Sequence, residues 1–424
     1  MLLLVAASAL AAPSFTDLGF VLRAPDTGPF VNGINAPTVA WDGAQFVMYF
    51  ESIATETPSD CASSYVIGRA TSPDGLTWTL DEAPVLSPDR EDTVSVYSCS
   101  VAQPAVVYAD GVFHLLFAMG DEKQDSSSSV NRGAGIGYAT STDGVRFTVV
   151  AAPTPLGDTE DGTPSGDWHA PDGGAFTLSV GMPTAALVND TLFIAFLTGT
   201  SLYVGKYDTA ADAWSLYDAP VSTPWLGTDW AAYGVFSPSL TCTDTALSLT
   251  VGGYNDATYG PRGVGIATST DLLAWEVGGA LALDSDRFTD LNHLDVVTAG
   301  SDVLAFYSVN DPDTAKKAVG LAATATTWGT PDARACTWEI PDTGGDSGDA
   351  DTDTDADTDT DADADADTDT DTDTDTDTPA DTASDTDTDA DDDGGCGCDT
   401  GGAGGLGLGL VALGLAAGRR RRSS

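Results

Sequence analysis

Five stretches of this chain repeat one pattern, and no other feature narrows the fold so far. The first runs from Pro37 to Trp78 as PTVAW, an Asp42-Gly43 turn, QFVMYF, a polar loop, YVIGRAT and SPDGLTW. Apolar alternating runs separated by turn residues and closed by an aromatic read as strands of an antiparallel sheet. The pattern returns as PAVVYADGVFHLLFA, GIGYAT and STDGVRF from Pro104 to Phe147, and as PTAALVNDTLFIAFL, LYVGKY and DTAADAW from Pro183 to Trp214. It returns again as PSLTCTDTALSLTV, GVGIAT and STDLLAW from Pro238 to Trp275, and as LDVVTAGSDVLAFYS, AVGLAA and TATTW from Leu294 to Trp328. Copies at this spacing predict an all-β, five-bladed propeller over residues 13–340. A closed ring leaves each four-stranded blade only short, protected edges.

What flanks the repeats is of another kind. Residues 1–12, MLLLVAASALAA, form an apolar run with Ala9 and Ala11 at the spacing a signal peptidase prefers, so an export signal is expected, with a buried first strand as the alternative. Residues 341–393 carry 24 Asp and no Lys or Arg. An Asp-Thr and Asp-Ala alternation without apolar payload cannot offset its ordering entropy and is expected to be a disordered linker, here spanning 341–395. Asp389, Asp391, Asp393 and Gly394 match the start of a calcium loop, but Thr400 stands where that loop needs a bidentate Glu. Diffuse Ca²⁺ binding by the linker is the most that follows, and no cofactor is expected.

The formal charge of -49 is therefore uneven. Without the linker, Asp399 and the four terminal Arg, 40 acidic residues still face 12 basic ones. Such a surface repels nucleic acid and anionic lipid, which excludes both as partners of a monomeric propeller.

The six Cys suit an exported protein. Cys61 falls in a loop after the second strand of the first repeat and Cys99 just before the second repeat, both on the face where inner strands begin, so a Cys61–Cys99 disulfide is expected. Cys242 and Cys336 are candidates for a second. Cys396 and Cys398 open residues 396–424, where GGCGCDTGG, GGLGLGLVALGLAAG and Arg419 to Arg422 follow in order. This order resembles the C-terminal sorting signals of myxobacteria and their relatives. The resemblance implies cleavage and surface display, with membrane contact only through a short hydrophobic helix in this segment.

SPDGLTW, STDGVRF and STDLLAW, taken with the fivefold count, resemble the five-bladed propellers of glycoside hydrolase families 43 and 32. Each such turn lies between third and fourth strands, where Asp74, Asp143 or Asp271 bonds turn amides and the following aromatic packs between blades. The resemblance places three carboxylates at the starts of the inner strands, the base directly before a Pro, because glycoside cleavage needs an acid and a base across the sugar. Here the residues before Pro37, Pro104, Pro183 and Pro238 are Ala36, Gln103, Met182 and Ser237. Aligning the fifth repeat by its turn puts His293 at the same level, with Asp295 on the same strand face.

His293 and Asp295 are thus the candidate catalytic pair, or a channel-lining His with its neighbour. Asn35 and Gln103 beside the strand starts, and Glu51 and Asp121 after second strands, are candidate ligand contacts. Trp168, His169, Trp230 and Tyr254 lie in the long connections of the same face, either as sugar-facing aromatics or as loop packing; Trp225 and Tyr259 read the same way. His114, between Phe113 and Leu115, is expected to be an interior His. The leading expectation is a surface-displayed, glycosidase-like propeller that binds carbohydrate without the usual carboxylates. An active arabinan- or xylan-cleaving hydrolase with displaced carboxylates, or a protein-adhesion propeller, stays open.

Overall fold

The computed structural model describes residues 14–59, 61, 64–89, 99–120, 135–150, 168–169, 180–189, 191–198, 200–209, 213–217, 220–222, 225, 228–242, 246–255, 262–284, 291–331 and 335–336. Their strands form five sheets around an axis. Blade 1 runs outward from Asn35–Trp41 through Phe46–Ile53 and Tyr65–Ser72 to Thr79–Leu80, and blade 2 from Ser100–Ala109 through Val112–Gly120 and Gly135–Ser141 to Thr148–Val149. Blade 3 comprises Val180–Val188, Thr191–Thr198, Ser201–Asp208 and Ala213–Tyr217; blade 4 comprises Gly234–Cys242, Leu247–Tyr254, Arg262–Ser269 and Glu276–Ala280. The inner strands touch in cyclic order, blade 5 against blade 1 included, so the ring is closed.

Blade 5 is a composite. After His293–Ala299, Asp302–Asn310 and Lys317–Ala323, its fourth strand is not the TATTW stretch of the repeat but Ser14–Leu22 from the other end of the chain. That strand pairs antiparallel from Thr16↔Ala323 to Leu22↔Val319, with two register shifts, and Ala282–Asp284 lies parallel on its outer edge. Phe15 and Leu22 are buried. A strand contributed by the distant terminus ties the ring shut, since blade 5 cannot keep its edge without it.

The repeated glycine of each third strand has a steric cause. A Cβ on Gly68, Gly137 or Gly320 would sit 2.4, 2.3 or 2.3 Å from the ring of Phe50, Phe117 or Tyr307, which folds over it from the paired strand. Between blades the contact is apolar: Val47, Tyr49 and Ile67 of blade 1 meet Val106, Leu115 and Phe117 of blade 2 in one cluster.

The Asp turns are structural. Asp74 Oδ1 accepts from Leu76 N and Thr77 N at 2.8 Å each, while Trp78 Nε1 donates to Gly75 O at 2.9 Å. The Trp78 ring then meets Phe306 of blade 5 edge-on at 5.8 Å. Asp143 and Asp271 repeat the arrangement. Amide donors from Arg146 and Val145 hold the Asp143 carboxyl down at about 2. In blade 4, Leu272 takes the left-handed place of Gly75 and Gly144, with φ of 66°.

Cys61 and Cys99 form the expected disulfide, with Cα atoms 5.6 Å apart, joining the blade 1 loop to the entry of blade 2. Cys242 is also disulfide-bonded. Ala335–Cys336 pairs beside Val188 at the inner edge of blade 3, and the Cys336 side chain lies outside the described residues. The expected export signal, linker, Cys396, Cys398 and terminal hydrophobic helix all lie outside them too; among the described residues no helix is long and apolar enough to cross a membrane.

Candidate functional site

Four of the five inner strands carry the same irregularity at the same level. Ala36, Gln103, Met182 and Ser237 have φ of 47°, 48°, 50° and 46°, and each is followed by a proline. At each the ladder shifts register, between Asn35 and Thr38, Ala102 and Ala105, Gly181 and Thr184, and Phe236 and Ser239. Proline has no N–H to give a ladder, so a strand tolerates it at a sheet edge or at a bulge, and here both conditions meet in blades 1, 2 and 4. A left-handed non-glycine residue costs about 1–2 kcal/mol, which its surroundings must offset. Blade 5 has no such break, and its pairs run evenly from His293↔Ser308 to Ala299↔Asp302.

The bulges and the His293 end together line one axial cavity that is half open to solvent. Its wall takes one short segment from every blade: Ala36 to Thr38, Gln103 to Ala105, Met182 to Thr184, Ser237 and Pro238, and His293 to Asp295.

Two tiers of hydrogen bonds between blades hold this wall. In the upper tier, Glu51 Oε2 accepts from Gln103 N at 2.9 Å, Gln103 Oε1 from Met182 N at 2.7 Å, Met182 Sδ from Ser237 N at 3.3 Å, and Ser237 Oγ from Leu294 N at 2.6 Å. Ser308 Oγ donates to Asn35 Oδ1 at 2.6 Å and returns the circuit from blade 5 to blade 1. Three of the four strained residues, Gln103, Met182 and Ser237, are thus tied to the preceding blade by their own N–H.

In the lower tier, Thr38 Oγ1 accepts from Val106 N at 3.1 Å, Thr184 Oγ1 from Leu240 N at 2.7 Å, Ser239 Oγ from Val296 N at 2.8 Å, and Asp295 Oδ2 from Val39 N at 2.7 Å. Ala105, the blade 2 counterpart, has no side-chain acceptor, so the tier is interrupted between blades 2 and 3.

Asp295 therefore stands where other blades use Thr or Ser. It is 4% exposed, and its second oxygen accepts from Ser239 Oγ at 2.9 Å. His293 is also buried and lines the cavity, two residues away on the same face. Glu51 does not line the cavity; it sits behind the wall, where Asn35 Nδ2 donates to Oε1 at 2.6 Å. Burial pushes its carboxyl above the ordinary value, against the pull of Asn35, the Gln103 amide and the Lys317 charge.

Gln103 lines the cavity directly, whereas the Asn35 side chain bonds, among the described residues, to Glu51 and Ser308. Trp168 and His169 pair with Tyr217 and Leu216 on the outer edge of blade 3, away from the axis. Trp225 and Trp230 are 0% and 5% exposed and pack with Trp275, so they are loop packing. Gly263 and Gly265 leave room for the Trp230 side chain. Tyr254 stacks on Phe236 at 4.6 Å. His114 bonds through Nδ1 to Tyr138 OH at 2.7 Å, as an interior His does. Asp121 and Tyr259 lie outside the described residues. Tyr233, at 39% exposure, is an exposed aromatic beside the blade 4 strand start that sequence reading passed over.

This architecture has solved counterparts. A glycosyl hydrolase from Bacteroides ovatus superposes with a TM-score of 0.52 at 15% identity, over 76% of this chain and 97% of its own. The chain has the five-bladed propeller fold of glycoside hydrolases. A family 117 glycoside hydrolase from Zobellia galactanivorans gives 0.51 at 12% identity, over 74% and 90%. A member of the family 130 mannoside phosphorylases, a family containing hydrolases that target β-1,2-mannosidic linkages in Candida mannan, gives 0.52 at 15%, over 74% and 94%. No family model and no curated protein matches the chain.

Proposed function

We propose that the propeller binds a neutral saccharide at the axial cavity and does not cleave it. One observation carries this reading: among the described residues Asp295 is the one carboxylate lining the cavity, and both its oxygens accept hydrogen bonds that join blades. Glycoside cleavage uses two carboxyl groups about 5 to 9.5 Å apart across the sugar. The other cavity residues, Gln103, Ser237 and His293 among them, offer hydrogen-bonding groups suited to hydroxyls. The acidic surface disfavours anionic glycans. Export and display through the Cys396–Arg422 segment complete the proposal, a module held at the cell surface.

A hydrolase remains the second reading, favoured by Glu51, whose raised carboxyl is the property of a general acid. Purified protein incubated with arabinan, xylan and β-1,2-mannan, with reducing ends and retained protein scored together, separates the two. Retention without release is expected. Release that Asp295→Ala abolishes while the protein stays folded would make this an enzyme.

A further inference from the structure

The cavity wall contains one side chain whose chemistry is fixed by its surroundings. Gln103 Oε1 accepts from Met182 N at 2.7 Å, which settles the orientation of the amide and makes Nε2 a donor. Among the described residues no protein acceptor meets Nε2, and the residue lines the cavity. A Cβ on Gly181 would lie 2.6 Å from Oε1, so the glycine there leaves the amide its place.

The backbone of Gln103 is equally constrained. Its φ of 48° is unfavourable for a side-chain-bearing residue, and its N–H is held at 2.9 Å by Glu51 Oε2. Glu51 is held in turn by Asn35, and Asn35 by Ser308 of blade 5, each at 2.6 Å. A carboxylate binds an N–H about twice as strongly as a neutral acceptor does.

We propose that Gln103 is the donor through which the cavity reads an oxygen acceptor of its saccharide, and that Glu51 is the positioning residue that holds Gln103 from behind the wall. The proposal rests on the carbohydrate reading above and deepens it. Lys317, from the third strand of blade 5, is the charged side chain acting on Glu51; Asn35 and the Gln103 amide are its hydrogen-bond partners. When Glu51 takes up a proton, its O–H and the Asn35 Nδ2–H cannot both point along the same contact. The Asn35 amide must turn over and the Ser308 hydroxyl must reverse, leaving Gln103 N on a neutral carbonyl. Saccharide affinity then falls on acidification.

The test uses the full chain with arabinotriose, xylotriose and β-1,2-mannotriose in calorimetric titrations from about pH 5 to 8. Gln103→Ala is expected to weaken the sugar that binds about tenfold near pH 8, the size of one lost hydrogen bond, and by less toward pH 5, with the pH dependence itself reduced. Glu51→Ala should weaken it about as much, and Glu51→Gln should recover most of that loss while abolishing the dependence on pH. Amide exchange without sugar supplies the second arm: Glu51→Ala should speed exchange at Gln103 and Met182, and Glu51→Gln should speed it less. Unchanged affinity in Gln103→Ala overturns the donor role. Unchanged exchange in Glu51→Ala, or a wild-type pH profile in Glu51→Gln, overturns the positioning role. Failure of the wild type to bind any of the three sugars removes the carbohydrate reading and the donor role with it, while exchange still decides what Glu51 holds.

Discussion

In blades 1 to 4 the inner strand reaches the axis through a left-handed residue and a proline, whereas blade 5 reaches it on an unbroken ladder from His293 to Ala299. In blades 2 to 4 the bulge turns a backbone N–H toward the preceding blade, and the side chains the four bulges show to the cavity are Ala36, Gln103, Met182 and Ser237. The regular strand needs no such correction and places two titratable side chains, His293 and Asp295, on one face. The blade with the plainest inner strand is also the one whose outer strand is borrowed, from Ser14–Leu22. Blades 1 to 4 each draw their four main strands from one stretch of chain, and the fifth takes its outer strand from before the first repeat.

The largest expected effect tests that dependence. Removing residues 14–22 strips blade 5 of its edge and exposes the surface that Phe15 and Leu22 cover, so the cooperative thermal unfolding followed by circular dichroism should disappear. A truncated chain that melts near the wild-type temperature would show that the ring closes some other way.

Asp295→Ala comes next, because it leaves Val39 N and the Ser239 hydroxyl without their acceptor in a buried setting. A loss of about 2–4 kcal/mol in denaturant unfolding is expected. Thr38 and Thr184 hold the equivalent position in blades 1 and 3, so Asp295→Thr should keep at least half of that stability. Equal losses in both variants would mean that the charge, not the hydrogen bond, matters there.

Glu51 gives a smaller effect whose sign follows from burial. Its carboxyl is raised above 4.5, so the folded state holds the proton more tightly than the unfolded one. Its contribution to stability is present below 4.5 and is lost as pH rises through the raised value. Relative to Glu51→Gln, wild type should therefore gain stability as pH falls through that window, by about 1.4 kcal/mol per unit of pKa difference. A difference that stays constant over the acid range would argue that Glu51 does not titrate there. The smallest effect is a gain: Ala105→Thr supplies the missing acceptor of the lower tier between blades 2 and 3 and should add up to about 1 kcal/mol.

Much of this was legible in the residues. The turn spacing, the closing aromatics and the two cysteines at one blade boundary identify the ring and the Cys61–Cys99 bond because they act within or between neighbouring repeats. The borrowed strand was not legible, since SFTDLGFVL carries no repeat signature and its partner lies some three hundred residues on. The prolines at 37, 104, 183 and 238 did carry a signal: a proline inside an apolar strand points to a sheet edge or a bulge. Reading the residue before it as a catalytic position found the right level of the axis but not the strained backbone. The long loop of Trp225 and Trp230 left sugar-facing aromatics and loop packing both open; packing is what the structure has, though nothing local announces that the glycines of blade 4 receive Trp230. Glu51 behind the wall was expected at its surface, a distinction that depends on which way one side chain leaves its strand.

The borrowed strand also sets a timetable. Ser14–Leu22 leaves the ribosome some three hundred residues before Lys317–Ala323, against which it pairs. Until then it lacks its antiparallel partner, and a contact of such long range forms late. An interrupted or nicked product that lacks the third strand of blade 5 leaves two orphaned sheet edges in place of one closed ring. Completeness of the chain is thereby written into its solubility, and a cell would meet partial copies as sticky fragments rather than as weakened binders.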